Sequence, residues 1–206
     1  MKQPGTRRGS ETKKHIVACA ATLIHERGVA ATTIDDVLAA SGAGKGQFYH
    51  YLENKEDLVR EVLRHDLDMT LAAQATLLED LSTWKAIKTW LDALADAHED
   101  AGLFGGCRIG SLAAEMADRD EGLRLAIAAA FSLWESFLAA GLEAMKAQGA
   151  LRRGADPEVL AETTMAAIQG GYLLATTKKD IRPMRNALTA AYTHLRSFAR
   201  PRPSAS

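Results

Sequence analysis

The chain has 206 residues, of which 47% are hydrophobic and 25% are charged, as in a soluble globular protein of one large domain or two unequal ones. It contains no run of about 18 apolar residues, and no apolar segment follows the basic N-terminus, so neither a membrane span nor a secretory signal is expected. The two cysteines, Cys19 and Cys107, are far apart, which argues against a disulfide framework and fits a cytoplasmic protein.

The helical period dominates the chain, and we expect an all-α fold of about nine helices. The first begins near Ser10 or Glu11 and ends at Gly28. The second is capped by Thr32 or Thr33 and ends before a glycine turn at residues 41–44. The third and fourth cover about 45–51 and 55–81. The remaining predicted helices cover about 83–99, 109–117, 118–148, 157–177 and 182–199.

The most informative stretch is TTIDDVLAASGAGKGQFYHYLENKEDL, residues 32–58. Two short apolar-periodic segments flank the turn, where Gly42 supplies the backbone freedom. The second segment carries Lys45, Gln47, Tyr49 and His50 on a surface with no other obvious use. This layout is typical of a helix-turn-helix, whose second helix lies in the major groove of DNA.

This stretch and the preceding AxxLIxxRG at 20–28 resemble the DNA-binding domain of tetracycline-repressor (TetR) family regulators. More than a dozen positions agree at fixed spacing. The departures are Leu38, Ala43, Gly44 and Leu52, and none of them removes a DNA-facing group. Further along, GCRIGSLAAE at 106–115 is similar to a GC-x-(I/L)-G-x-LA-x-E motif found in a subset of the family.

The resemblance implies a chain of four parts. Residues 1–10 are expected to be a basic flexible arm, and residues 11–71 a helix-turn-helix DNA-binding domain with the motif at about 34–53. Residues 72–199 are expected to form a helical domain for ligand binding and dimerisation. Residues 200–206 are expected to be a disordered tail.

Polar and small residues around the third helix are the candidate DNA contacts. Lysine and glutamine have donors that reach base edges, and helix N-termini favour phosphate. The alternative is that these are ordinary surface polar residues. The candidates are Thr33, Gly44, Lys45, Gly46, Gln47, Tyr49, His50 and Lys55.

The middle helices are expected to enclose an apolar effector cavity, although an aromatic and methionine stripe is more often plain core. Cys107 follows two glycines at a helix start, so it is either a thiol that senses electrophiles or a packing residue. The candidate lining residues are Phe104, Cys107, Leu112, Met116, Phe131, Trp134, Phe137, Met165, Gln169 and Tyr172.

The last two helices are expected to form a homodimer core. Two adjacent glycines in mid-helix lower helix stability by roughly 1 kcal/mol each, and a close approach of helices would justify them. The alternative is a kink over the ligand cavity. The candidate interface residues are Gly170, Gly171, Leu188, Ala191, Tyr192 and Leu195.

Together these features predict a repressor that a small apolar or electrophilic effector releases from a palindromic double-stranded operator. An activator or nucleoid-type protein without an effector is the first alternative. An enzyme built on Cys107 and His98 is a remote one, because the sequence has no catalytic or dinucleotide motif. No cofactor is expected, and the scattered histidines predict no metal site.

Overall fold

The structure, a computed structural model, describes residues 7–200, without the side chains of residues 7 and 8. Within this range the chain forms nine α-helices and no strand, which confirms the predicted fold class. The helices are α1 (Arg7–Ala31), α2 (Ile34–Ser41), α3 (Lys45–Tyr51), α4 (Lys55–Leu78), α5 (Trp84–Asp100), α6 (Arg108–Met116), α7 (Glu121–Ala147), α8 (Pro157–Lys178) and α9 (Arg182–Ser197).

The first helix corrects one expectation and supports another. It begins at Arg7, so residues 7–10 are helical and do not belong to a flexible arm; residues 1–6 of that predicted arm lie outside the described residues. Gly28 interrupts the helix with φ 84° and ψ 163°, values that L side chains rarely adopt. The helical rod therefore breaks where the glycine was expected to end it.

Local capping fixes the helix-turn-helix. Thr33 caps α2 in a reciprocal capping box with Asp36, and Gly42 ends the helix in the left-handed region at φ 66°. Beyond the turn, α3 is held to the core by Phe48 and Leu52, which are almost completely buried. The short helix therefore has a fixed inner face and a free outer one.

The described chain divides into two compact units. The first unit runs to Thr70 and also contains Arg108–Ala130, which are α6 and the beginning of α7. The second unit contains Leu71–Cys107 and the chain from Phe131 onward. The first boundary lies beside the predicted one at residue 71, but α6 groups with the helix-turn-helix, whereas we expected it in the ligand-binding domain.

A single hydrophobic cluster forms the core of the second unit. It joins α5, α7, α8 and α9 around Trp90 and Trp134, which are each 1% exposed. Asp156 caps α8 by accepting from the backbone N–H groups of Glu158 and Val159, and Pro157 occupies the first turn, where a proline is favoured.

The contact between α8 and α9 buries part of the predicted dimer surface inside the protomer. A Cβ at Gly171 would lie 3.1 Å from Cγ and 3.2 Å from Cα of Met184, so this glycine permits a close approach inside the protomer. The predicted interface residues Leu188, Ala191 and Leu195 are buried in the same packing, because α9 turns its apolar stripe toward its own core. Within one protomer these three are covered, whereas Gly170 and Tyr192 of the predicted set are half-buried.

The C-terminal end of the described chain is also tied down. The backbone N–H of Arg200 donates to the Ala150 carbonyl at 2.9 Å, beside an isolated antiparallel bridge between Leu151 and Ala199. Arg200 therefore does not belong to the predicted tail, whose remaining residues, 201–206, lie outside the described range.

One helix is long and apolar enough to cross a membrane by length and composition alone. This is α7, with a mean hydropathy of 1.6 in its most apolar window. Its residues Trp134, Leu138 and Leu142 are buried in the core of the second unit. Core helices of soluble proteins pass the same test, so the finding is weak evidence for a membrane span.

Candidate nucleic-acid interface

The outer face of α3 consists almost entirely of exposed polar, aromatic and glycine residues. Tyr49 is 55% exposed, and Lys45, Gly46, Gln47 and His50 are also exposed. All five were predicted from the sequence as DNA contacts, and the structure brings them together on one short helix. The next residue in the predicted set, Lys55, is half-buried at the start of α4.

The Gln47 side chain already has one partner. Its Oε1 accepts the backbone N–H of Gly44 at 3.0 Å, which supplies half of a capping box; glycine has no side chain for the reciprocal bond. Because the carbonyl oxygen is occupied, the side-chain NH₂ group is the end left for DNA. A bidentate contact to adenine, which a glutamine side chain can make, needs both ends, so it would require this cap to open.

Lys45 lies beside an acidic residue of α2. Its Nζ is 3.2 Å from Oδ1 of Asp35, and both side chains are more than 70% exposed. Such exposed pairs contribute little to stability. A phosphate group approaching Lys45 would compete with Asp35 for the ammonium group.

Thr33 is committed to its own helix. Its hydroxyl and its backbone N–H both donate to Oδ2 of Asp36, at 2.6 and 2.8 Å. These bonds lower the pKa of Asp36 below its usual value, so the carboxylate is charged at neutral pH. A phosphate contact through Thr33 would have to displace this carboxylate.

Seven of the ten predicted effector residues lie together in the second unit. Trp134 and Met165 belong to its hydrophobic cluster, and Gln169 contacts the Met165 sulfur at 3.5 Å. The other four pack against the cluster and are partly buried. They are Cys107, Phe131, Phe137 and Tyr172.

The other three predicted effector residues do not join this group. Phe104 is 74% exposed, and its ring lies under the Lys179 ammonium at 4.0 Å from the centroid. Leu112 and Met116 lie on α6, in the first unit. The sequence placed α6 in the ligand-binding domain, and these two assignments followed from that placement.

Cys107 has a polar neighbourhood. Burial and the nearby Cys107 thiol raise the pKa of Tyr172, so its phenol stays neutral. The Tyr172 ring meets the His98 ring edge-on at 4.9 Å, and Nε2 of His98 is 3.1 Å from the Thr176 hydroxyl. Burial, with Lys179 nearby, lowers the pKa of His98, which favours the neutral imidazole.

Two cavities of ligand size flank α7 in the second unit. One, of about 810 Å³, is lined mainly by apolar groups of α4 and α7, including Leu71, Leu78 and Phe137; we call it the apolar groove. The other, of about 910 Å³, lies between α7 and the start of α8 and is rich in carboxylates. An apolar molecule would therefore enter the first one.

Sequence reasoning missed Asp35 as the partner of Lys45 and Gln47 as a cap. The cap had a signal, because a glutamine three residues after a helix-capping position is the capping-box spacing. No signal in the sequence indicated the pair of Lys45 with Asp35, because the approach of α2 to α3 depends on the geometry of the turn.

Two family models match this chain. The model described as "Bacterial regulatory proteins, tetR family" covers residues 16–62. The model described as "Transcriptional regulator LmrA/YxaF-like, C-terminal domain" covers residues 83–190, about half of the chain. The two matches include the helix-turn-helix and most of the second unit.

Individual relatives agree with these models. An uncharacterized HTH-type transcriptional regulator of Lactococcus lactis subsp. lactis is 29% identical over 172 residues, 82% of this chain and 86% of that protein. The repressor DhaR of Mycobacterium sp. (strain GP1) is 26% identical over 189 residues, 89% and 91% of the two chains.

A solved structure extends the likeness to the fold. The crystal structure of a TetR transcriptional regulator from Chloroflexus aurantiacus J-10-FL superposes with a TM-score of 0.83 at 28% identity, covering 96% of this chain and all of that one. The helix-turn-helix geometry, both family models and this superposition agree: the chain belongs to the TetR family of helix-turn-helix transcriptional regulators, with a C-terminal domain of the LmrA/YxaF-like type.

Proposed function

We propose that this regulator is a repressor that binds a palindromic operator as a homodimer and leaves it when a small effector enters the second unit. DhaR, a relative over most of its length, is named a repressor, and release by a ligand is typical of the family. The DNA contacts that we propose are Lys45, Gly46, Gln47, Tyr49 and His50, with Gly44, Thr33 and Lys55 at helix starts.

One observation carries the DNA contacts. The seven residues of α3 bury Phe48 and expose all the other side chains except Tyr51, which is half-buried. A helix that only filled space would not leave lysine, glutamine, tyrosine and histidine all exposed. The outward face therefore supports docking in the major groove.

The apolar groove is our proposed entry for the effector. It is lined by the end of α4, and α4 begins in the first unit at Lys55 and continues into the second at Leu71. A ligand that contacts the far end of this continuous helix can bias the DNA-binding end if it prefers one of two arrangements. We therefore expect a small, mainly apolar molecule.

A buried indole narrows the effector chemistry. Trp134 is 1% exposed, and its Nε1–H has no hydrogen-bond partner within the described chain. An unpaired buried donor costs about 1–3 kcal/mol. An effector that carries a carbonyl or another acceptor would remove this cost on reaching Trp134.

A thiol-reactive effector is our second candidate. Cys107 is a half-buried cysteine whose environment includes the neutral Tyr172 phenol. Its neighbour Arg108 is directed to Asp66 at 3.5 Å, so this guanidinium is already engaged. Modification of Cys107 would add bulk directly before α6. Packing against the core favours the structural role for the unmodified thiol.

We propose that a second copy of the chain packs against the outer face of α8. Val159 and Leu173 are 53% and 66% exposed there, and the residues between them on this face are Glu162 and the smaller Thr163, Ala166 and Gly170. The helix is acidic at its start, with Glu158, and basic at its end, with Lys178. In an antiparallel two-fold pair, opposite charges meet at both ends. Regulators of this family act as dimers.

We further propose that the protein is cytoplasmic, without enzymatic activity and without a cofactor. Its relatives are transcriptional regulators. In the described part of the chain no group of three or more metal-ligating side chains converges. His98 and Cys107 lie in one neighbourhood, yet His98 bonds to Thr176, so nothing points to a catalytic pair.

A gel-shift titration tests the DNA-binding proposal. DNA from the region upstream of the gene should be retarded by the wild-type protein and protected over a palindrome. A panel of small apolar carbonyl compounds and N-ethylmaleimide should include at least one agent that releases it. Uniform binding to all DNA with a steep salt dependence would instead indicate a nucleoid-type protein. A bound palindrome that no agent releases would favour effector-independent regulation.

A further inference from the structure

A carboxylate of α6 holds the chain segment that precedes the helix-turn-helix. Oε2 of Glu115 accepts the backbone N–H of Val29, and Oε1 accepts that of Ala30, both at 2.7 Å. The two bonds use both carboxyl oxygens of this side chain. Glu115 is the last residue of the motif at 106–115, and DNA recognition gives it no other role.

Gly28 shapes the backbone around this carboxylate. Its φ of 84° turns the following N–H groups toward α6, and a Cβ here would lie 3.1 Å from Oε2 of Glu115. Both the dihedral angle and the contact disfavour any side chain at this position. The two residues therefore depend on each other. The absence of a side chain at Gly28 leaves the space that the Glu115 carboxylate occupies.

The held segment leads directly into the DNA-reading helices. Thr32 is buried, and its hydroxyl donates to the Gly28 carbonyl at 2.8 Å. Thr33 then caps α2. From Gly28 to the start of α2, the chain thus has few free torsions. Any displacement of α6 would pass through Glu115 to this segment and to the helices after it.

The other end of α6 is fastened as well. Nη1 of Arg108, the first residue of α6, is 3.5 Å from Oδ1 of Asp66 on α4, which is completely buried. Nε2 of His25 on α1 lies 2.8 Å from the other oxygen of this carboxylate. A buried carboxylate is costly without such partners. The α6 helix is therefore bonded at its start to α4 and at its end to α1.

We infer that Glu115 is a positioning residue for operator recognition. Together with Arg108, it makes α6 the helix that sets the position of the DNA-reading helices α2 and α3. The chain passes from the second unit into α6 between Cys107 and Arg108, so a change around Cys107 meets α6 first. This inference depends on the proposed dimeric operator binding, because positioning matters when two reading helices must match two half-sites.

The test compares Glu115→Gln with Glu26→Gln, an exposed glutamate of α1 that loses the same charge. Glutamine keeps one acceptor oxygen but sets an NH₂ group against a backbone N–H. The probes are a palindrome selected from random DNA by the wild-type protein and the same palindrome with one base pair inserted at its centre. The measurements are affinity for both DNAs, and amide hydrogen exchange at Val29 and Ala30.

We expect the wild-type protein and Glu26→Gln to discriminate equally between the two DNAs. We expect Glu115→Gln to speed exchange at Val29 and Ala30, to bind the parent palindrome about tenfold more weakly and to lose most of the discrimination. A residue that only stabilised the fold would lower the melting temperature without changing the preferred spacing. If Glu115→Gln does not fold, Arg108→Met, which loosens the other end of α6, takes its place with the same expected loss of discrimination.

Faster exchange at Val29 and Ala30 with unchanged affinity and unchanged discrimination would overturn the inference. This failure differs from a failure of the proposed function. If the wild-type protein selects no palindrome from random DNA, then dimeric operator binding is wrong, and the contacts of Glu115 have only a structural role.

Discussion

At the scale of single residues, a substitution at Gln47 distinguishes a DNA contact from an ordinary surface residue. Its oxygen caps α3 and its NH₂ group is free for DNA. Gln47→Glu keeps an oxygen for the cap and adds a negative charge at a helix N-terminus, which stabilises a helix by about 0.3–1 kcal/mol. The same charge would face phosphate groups and replaces a donor. We therefore expect an unchanged or higher melting temperature and an operator affinity lower by about tenfold or more.

The control for this substitution is Gln148→Glu, which adds the same charge at an exposed position just after α7. Fluorescence anisotropy on the selected palindrome measures affinity, and circular dichroism measures melting. If the two variants bind the palindrome with equal affinity, Gln47 is an ordinary surface polar residue and does not contact DNA. A lower melting temperature for Gln47→Glu would contradict the capping role.

The sequence identified which residues α3 exposes, but not their partners in the free protein. The exposed set follows from a seven-residue helix anchored by Phe48. The pair of Lys45 with Asp35 depends on the approach of α2 to α3. The bond from Glu115 to Val29 joins residues 86 positions apart, and no local pattern in a single sequence reports such a distance.

At the scale of helices, Gly141 marks a contact that periodicity does not reveal. It lies inside α7, where an ideal Cβ would approach the Leu81 carbonyl oxygen to 2.6 Å and its carbon to 2.7 Å. These are backbone atoms and cannot turn aside. Gly141→Ala gains about 1 kcal/mol of helix propensity, but overpacking of this kind costs about 1–3 kcal/mol. We expect a net loss of stability and a lower melting temperature.

Gly46→Ala is the matched control, because Gly46 also lies inside a helix and a Cβ there would meet no atom within 4 Å. Measured without DNA, it should raise the melting temperature slightly through helix propensity alone. A Gly141→Ala protein that melts at or above the wild-type temperature would show that the chain around Leu81 can move aside.

Helix boundaries were predictable to within a few residues because capping signals mark them. The Asp156-Pro157 start of α8 and the Gly42 end of α2 are examples. The grouping of α6 with the first unit was not predictable in the same way. It depends on which neighbour the helix bonds to, and the amphipathic pattern of α6 fits packing on either side.

At the scale of the whole molecule, the sequence pattern does not separate a dimer surface from a contact inside the protomer. An apolar stripe on a terminal helix looks the same whether it packs inside the protomer or between protomers, since both bury it. In α9 the stripe packs inward, with Leu195 completely buried. The adjacent glycines of α8 also divide their roles: Gly171 faces Met184, and a Cβ at Gly170 would meet no atom of the chain within 4 Å.

The outer face of α8 therefore carries the prediction about assembly. Leu173→Glu would place a carboxylate where Leu173, now 66% exposed, would be covered by a second copy. Burial of a leucine side chain is worth about 1.5–3 kcal/mol, and two-fold symmetry counts it twice, so we expect dimer affinity to fall about 100-fold or more. Leu125→Glu, at an exposed leucine of α7, is the control. Sedimentation equilibrium should find Leu173→Glu shifted to monomer and Leu125→Glu dimeric like the wild type; equal dimerisation of all three would place the interface on another face.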